Sequence, residues 1–207
     1  MKAGDTTITV SWSAPRNDGS PMQGYDVELS PGGHRQSTGP DQTSVTFSSL
    51  SNGTAYTARV KARNQTQESE WSAPSQPTAP YGAPGTPTGV SATASDGTAQ
   101  VTWNAPSNAN GRDIEYYEVS AGGAAPVRVN APTTSASLNV GYSMQRVTFT
   151  VVAVNDANDP AGHTSTAASA SAWVVGDVNP PTITSVAATG NSREIRIGVE
   201  FQPGNGW

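Results

Sequence analysis

Arg59, Lys61 and Arg63 alternate along ARVKARN and so leave one face of an extended strand together, with Trp71 a short way downstream in EWSAPS. A guanidinium or ammonium over an indole gains about 0.5–2 kcal/mol, so these residues can build a small cation–π ladder. Together with Ser72 and Ser75 they are the candidate protein-binding surface of the chain. The same cations can instead pair across strands with Asp26 and Glu28. Two loops offer other chemistry. Asn110-Gly111-Arg112-Asp113 is a recognition candidate, although Asn-Gly is first of all a turn dipeptide. NDANDPAGH (155–163) gathers carboxylates, amides and His163, but it lacks the alternating oxygen spacing and closing Glu of a calcium loop and reads as a solvated loop. His34 and His163 lie in separate Gly/Pro-rich loops, and no GxSxG, HExxH or phosphate-cradling glycine loop occurs. No catalytic residue, cofactor or metal is expected, and the segment is not expected to be an enzyme.

The elements that carry these residues follow from composition and period. The 207 residues include 21 Gly and 16 Pro with only 34% hydrophobic content, a profile of short strands joined by many turns. Runs such as ITVSW and REIRIGVEF alternate with period two, and no window keeps an apolar helical stripe over three turns. The chain therefore reads as all-β. It has no Cys, hence no disulfides or thiolate metal sites. The formal charge is -5, and no basic stripe with stacking aromatics exists for nucleic acid. No apolar run approaches the roughly 20 residues of a membrane span, so no membrane insertion by this segment is expected. A monomer is expected.

Self-comparison shows a repeat. ITVSWSAP (8–15) aligns with AQVTWNAP (99–106), placing Trp12 on Trp103, and RVKARN (59–64) aligns with TVVAVN (150–155) at the same offset. GYDVEL (24–29) matches YYEVSA (116–121) after one extra residue. A period of about 90 residues fits one small β-sandwich, so the domains stand in tandem. The expected division is 1–79 for the first domain, with its first strand missing or truncated, 80–87 for a Pro-rich linker, 88–178 for the second domain, and 179–207 for the start of a third. Two strands do not close a sandwich, so residues 180–207 are expected to be disordered or to pair with an open edge such as that of the first domain.

These features resemble the fibronectin type III family: the early Trp12 and Trp103, each followed by Ala-Pro, the pairs Tyr25/Val27 and Tyr117/Val119, and LSNGTAYTARVKARN (50–64). The resemblance implies tandem immunoglobulin-like β-sandwiches with Trp12, Tyr25, Tyr56, Trp103 and Tyr117 in the cores. It also implies a tyrosine corner in which the Tyr56 hydroxyl meets the backbone near Leu50. In the second repeat Val147 stands at the register of Tyr56, with Tyr142 as a substitute, and the inward set is Val147, Phe149, Val151 and Ala153. Outward Val152 and Val154 with Tyr116 are read as a small apolar patch.

Trp71, Ser72 and Ser75 resemble part of the WSxWS box of cytokine receptors, with Pro74 where the second Trp would stand. The Thr/Ala/Gly-rich, Cys-free style resembles tandem modules of large Gram-positive, actinobacterial or bifidobacterial, cell-surface proteins. The resemblance implies an extracellular adhesion or protein-binding module whose ligand is a host protein such as a cytokine. The alternative is a passive spacer in a surface protein or secreted carbohydrate-active enzyme.

Overall fold

The computed structural model describes residues 1–16, 19–141, 144–155, 163–174, 182–191 and 194–202. Tyr142 and most of the 155–163 loop lie outside these residues. Among the described residues, all regular elements are strands. Two compact units are present: Met1–Thr86 with Pro106–Tyr116 and Ala153–Thr166, and Pro87–Ala105 with Tyr117–Val152 and Ala167–Trp207.

The first sandwich has β1 (Lys2–Gly4), β2 (Thr7–Ser11), β3 (Met22–Ser30), β4 (His34–Thr38), β5 (Ser44–Phe47) and β6 (Thr57–Asn64). They form two antiparallel three-stranded sheets, ordered β1-β2-β5 and β4-β3-β6. Period two decides which side chains go inward. Ile8 and Val10 of β2 meet Val27 and Leu29 of β3, Phe47 of β5 and Ala58 of β6 in one buried cluster with Leu50 and Tyr56. The Tyr56 hydroxyl accepts a hydrogen bond from the Ser51 amide at 3.2 Å. Trp12 meets Tyr25 edge-on at 5.2 Å but is only half-buried. His34 opens β4 rather than lying in a loop, and its ring stands edge-on to Tyr56.

The second sandwich has β7 (Thr88–Ser95), β8 (Thr98–Asn104), β9 (Ile114–Ala121), β10 (Val127–Asn130), β11 (Ser135–Asn139), β12 (Gln145–Asn155) and β13 (Ala168–Val174). Its sheets are ordered β11-β8-β7 and β10-β9-β12-β13. Trp103 again meets its Tyr, Tyr117, edge-on at 5.2 Å, and both are buried. Phe149, Val151 and Ala153 are fully buried, and Val147 at the strand's start is half-buried.

The outward apolar patch is corrected. Val154 is 2% exposed: it lies beyond the β12–β13 pairing, which ends at Val151, and bridges Thr164. The last residues also differ from expectation: β14 (Thr182–Asn191) and β15 (Glu194–Gln202) pair with each other as antiparallel strands, since two alternating runs adjacent in sequence satisfy each other's backbone locally.

Candidate functional site

The site lies on the outer face of β3, β4 and β6 and on the segment after β6. Residues 69–78 lie beside β6 without forming a regular strand. Ser69, Ser72, Ser75 and Thr78 donate their amides to the carbonyls of Ala62, Val60, Ala58 and Tyr56 at 2.8–2.9 Å. The segment advances three residues for every two of β6, the three-residue period of a polyproline II strand. Pro74 and Pro77 have no amide to give, and this spacing never asks them for one. The serines close each rung from the other side. Ser69 Oγ, Ser72 Oγ and Ser75 Oγ accept from the amides of Ala62, Val60 and Ala58 at 2.9, 3.1 and 3.0 Å, and donate to the carbonyls of Glu70, Ala73 and Gln76.

The period assigns the remaining positions. Trp71, Pro74 and Pro77 share one phase, each just before a rung residue, and Ser72 is the rung on Val60. Trp71 therefore stands beside the two residues flanking Val60. Arg59 Cζ lies 4.8 Å and Lys61 Nζ 5.3 Å from the indole centroid. The ladder thus holds two cations rather than three, because Arg63 turns away to Asp26 Oδ2 at 3.3 Å. Arg63 Nε has no hydrogen bond among the described residues, so its contact with Asp26 is an ion pair outside hydrogen-bond geometry.

Each cation of the face has a carboxylate. Arg59 and Arg35 converge on Glu28 Oε2 at 3.1 and 3.0 Å, and Lys61 lies between Asp26, at 3.6 Å, and the close carboxylate of Glu68. The strand register explains the pairing: Glu28 stands opposite both Arg59 and Arg35, and Asp26 opposite Lys61. The hydrogen bond from Arg59 holds the Glu28 carboxyl below its ordinary range, against desolvation and with Arg35 assisting. The hydrogen bond to Glu68 raises Lys61, again against desolvation, and Asp26 adds to it.

The other candidates are placed as follows. The hydroxyls of Ser72 and Ser75 are committed to β6. In the Asn-Gly-Arg-Asp loop, Asn110 Nδ2 donates to the Ala83 carbonyl at 2.8 Å and Asn110 Oδ1 accepts from Asn52 Nδ2 at 2.8 Å, while Arg112 stacks on Tyr81 at 4.5 Å. Asn110 is thus tied into its own unit, while Gly111, Arg112 and Asp113 stay exposed. Among the described residues, no cluster of three or more His, Asp or Glu could hold a metal.

The second sandwich repeats a single rung, Ser165 amide to Ala153 carbonyl and Ala153 amide to Ser165 Oγ, before β13 resumes the ordinary register. Sequence reasoning missed Trp173, which is 63% exposed on β13 opposite Arg146. Its alternation in ASASAWV was the available signal, since it shares a face with outward-pointing Ser169 and Ser171.

Residues 1–78 match the fibronectin type III domain model. This part of the chain is similar to that family, and the described residues form an all-β tandem of β-sandwiches. The chain is 31% identical over 180 residues, 79% of its length, to Exoglucanase B of Cellulomonas fimi. It is 38% identical over 82 residues, 36% of its length, to human Brother of CDO. The chain spans 15% and 7% of these two relatives. Among solved structures, the chicken CNTN1 FN1-FN3 domains align over 97% of this chain and 72% of theirs, at 18% identity and a TM-score of 0.44.

Proposed function

We propose that this chain is an extracellular protein-binding module of a bacterial surface protein. Its first repeat offers Trp71, flanked by Arg59 and Lys61, as the contact surface for a host protein such as a cytokine. The observation that carries the reading is the half-exposed indole held between two cations, built in the first repeat and without counterpart on β12 of the second, where the same positions are Thr150 and Val152. Trp and Arg are the side chains that most often dominate protein interfaces, and a pre-set indole loses little entropy on binding. The partial likeness to the cytokine-receptor box supports the ligand class. Immobilised chain should bind one member of a cytokine panel saturably, and Trp71→Ala or Arg59→Glu should weaken that binding by about 2 kcal/mol or more with circular dichroism unchanged. A panel without saturable binding overturns the reading.

The second reading, a spacer in a secreted carbohydrate-active enzyme, is favoured by the 180-residue match to Exoglucanase B. It is the reading left standing if no ligand binds.

A further inference from the structure

We propose that Asn110 is a deamidation site, at which loss of the side-chain amide converts the Asn110-Gly111 turn to an aspartyl or isoaspartyl linkage and frees the 82–85 segment bonded to it. The inference is independent of the Trp71 face.

Two Asn-Gly dipeptides meet inside the first compact unit. Asn52 Nδ2 donates to Asn110 Oδ1 at 2.8 Å, and a Cβ on Gly111 would stand 2.6 Å from the Gly53 nitrogen. Asn followed by Gly is open to self-cyclisation, because no Cβ shields the glycine nitrogen. Once its proton is lost to base, that nitrogen attacks the Asn Cγ, the Cγ–Nδ2 bond breaks and ammonia leaves. Water then opens the cyclic imide, at Cγ to give Asp or at the backbone carbonyl carbon to give isoAsp. Nothing is oxidised or reduced.

The fold treats the two pairs differently. The Gly53 amide donates to the Pro80 carbonyl at 2.9 Å, so its nitrogen is occupied. The Asn52 side chain is held at both ends: Oδ1 accepts from the Thr6 amide at 2.9 Å, and Nδ2 donates to Asp5 Oδ1 at 2.7 Å as well as to Asn110. The Asp5 carboxylate also opposes the negative charge that develops at Asn52 during attack. The Gly111 amide, in an exposed residue, has no hydrogen-bond partner among the described residues. Asn52 Nδ2 is already aimed at Asn110 Oδ1, the oxygen that gains charge when Cγ is attacked. Reaction is thereby directed to Asn110.

The same contacts set the consequence. Asn110 Nδ2 donates to the Ala83 carbonyl at 2.8 Å, while the amides of Gly82 and Gly85 donate to the carbonyls of Asn110 and Asn108 at 3.0 and 2.9 Å. Deamidation removes the first donor and sets a carboxylate against the Ala83 carbonyl, with Asp5 competing for the same Asn52 amide. An isoaspartyl linkage also lengthens the backbone beside Gly111, where the Gly53 nitrogen and the Pro80 carbonyl leave no space even for a Cβ. The 82–85 segment then loses its hold on the 108–111 turn.

The test ages the 207-residue chain in mildly alkaline buffer and maps its peptides by mass, with isoaspartyl methyltransferase labelling. The third Asn-Gly, at 204–205, is read on its own peptide. In the folded chain Asn110 should convert about tenfold faster than Asn52 or more, and in urea the two should react within about threefold of each other, since only the fold separates them. Hydrogen exchange at Gly82 should be faster in the variant Asn110→Asp, with the β3–β6 ladder unchanged. Equal rates in the folded chain, faster conversion at Asn52, a difference that persists in urea, or an Asn110 that stays intact in the folded chain while urea converts it would each overturn the site. Unchanged exchange at Gly82 in Asn110→Asp would overturn the release.

Discussion

The rungs on β6 make a quantitative claim about three side chains that look like ordinary surface serines. In the variant Ser69→Ala, Ser72→Ala, Ser75→Ala, the amides of Ala62, Val60 and Ala58 lose their acceptors, while the reverse bonds from the segment's own amides to β6 remain. A protein hydrogen bond contributes about 0.5–1.5 kcal/mol net, and these rungs lie near solvent, so water recovers part of each. At about 0.5–1 kcal/mol per rung, the triple variant should lose roughly 1.5–3 kcal/mol from the first sandwich. The loss should be local, because β3 still holds β6 through its own ladder.

Native-state hydrogen exchange followed by NMR reads the three amides directly. Each single Ser→Ala should speed exchange at its own β6 amide by about two- to fivefold, leaving the other two nearly unchanged. Trp71 fluorescence should shift to the red in Ser72→Ala, since that rung places the indole between Arg59 and Lys61. If exchange at Val60 is the same in the parent and in Ser72→Ala, the hydroxyls do not hold this segment, and the account of how Trp71 is positioned falls with them.

Two further outcomes follow from the same structure. Gly24 has φ +147° where the β3 register shifts, and a Cβ there would stand 1.9 Å from the Thr38 carbonyl oxygen. Gly24→Ala should therefore cost about 3 kcal/mol or more in urea unfolding, and a loss below 1 kcal/mol would refute it. The ion pairs should show in pH dependence with opposite signs. Glu28 is depressed on folding, so its contribution is present above its unfolded value and is lost as pH falls through the folded one. Lys61 is raised on folding, so its contribution is complete below its unfolded value and is lost as pH rises through the folded one. The difference between parent and Glu28→Gln should shrink below about pH 4, and that between parent and Lys61→Met above about pH 10.5. Differences that stay constant over both arms would refute the pairing. Both effects should be modest, because a partner of each pair, Arg35 or Arg59 for Glu28 and Glu68 for Lys61, is open to solvent and screened by water.

Much of this was legible in the sequence because alternation fixes facing. The inward set of β6, and the presence of Asp26 and Glu28 on the face shared with Arg59 and Lys61, need only period two and the neighbouring strand. Alternation does not say which neighbour wins. Arg63 shares a face with Arg59, but only Arg59 and Lys61 flank the rung that carries Trp71, so Arg63 is left to Asp26. The serine segment was hidden for another reason. Its period is three, and a scan for period two or 3.6 passes over S-x-x-S-x-x-S, although Pro74 and Pro77 already rule out a regular ladder on that side. Val154 escaped because it lies beyond the β12–β13 pairing, where alternation along that pair no longer fixes which side is covered.

The charge lattice also constrains what the face can recognise. Arg35, Arg59, Lys61 and Arg63 are answered by Asp26, Glu28 and Glu68, so four cations face three carboxylates within a few ångströms. Such a face projects little net field beyond a Debye length of about 8 Å in physiological salt, and it cannot draw an anionic partner from a distance. What it offers is a fixed indole edge with polar groups already paired around it. A ligand that covers Trp71 would gain from burying the ring without first breaking ion pairs, since Arg59 can keep both Glu28 and the indole. A single unpaired cation beside the same Trp would behave differently, because binding would then depend on a carboxylate supplied by the partner. If this face binds a partner as proposed, the pairing of Arg59 makes it favour apolar and aromatic contact over charge.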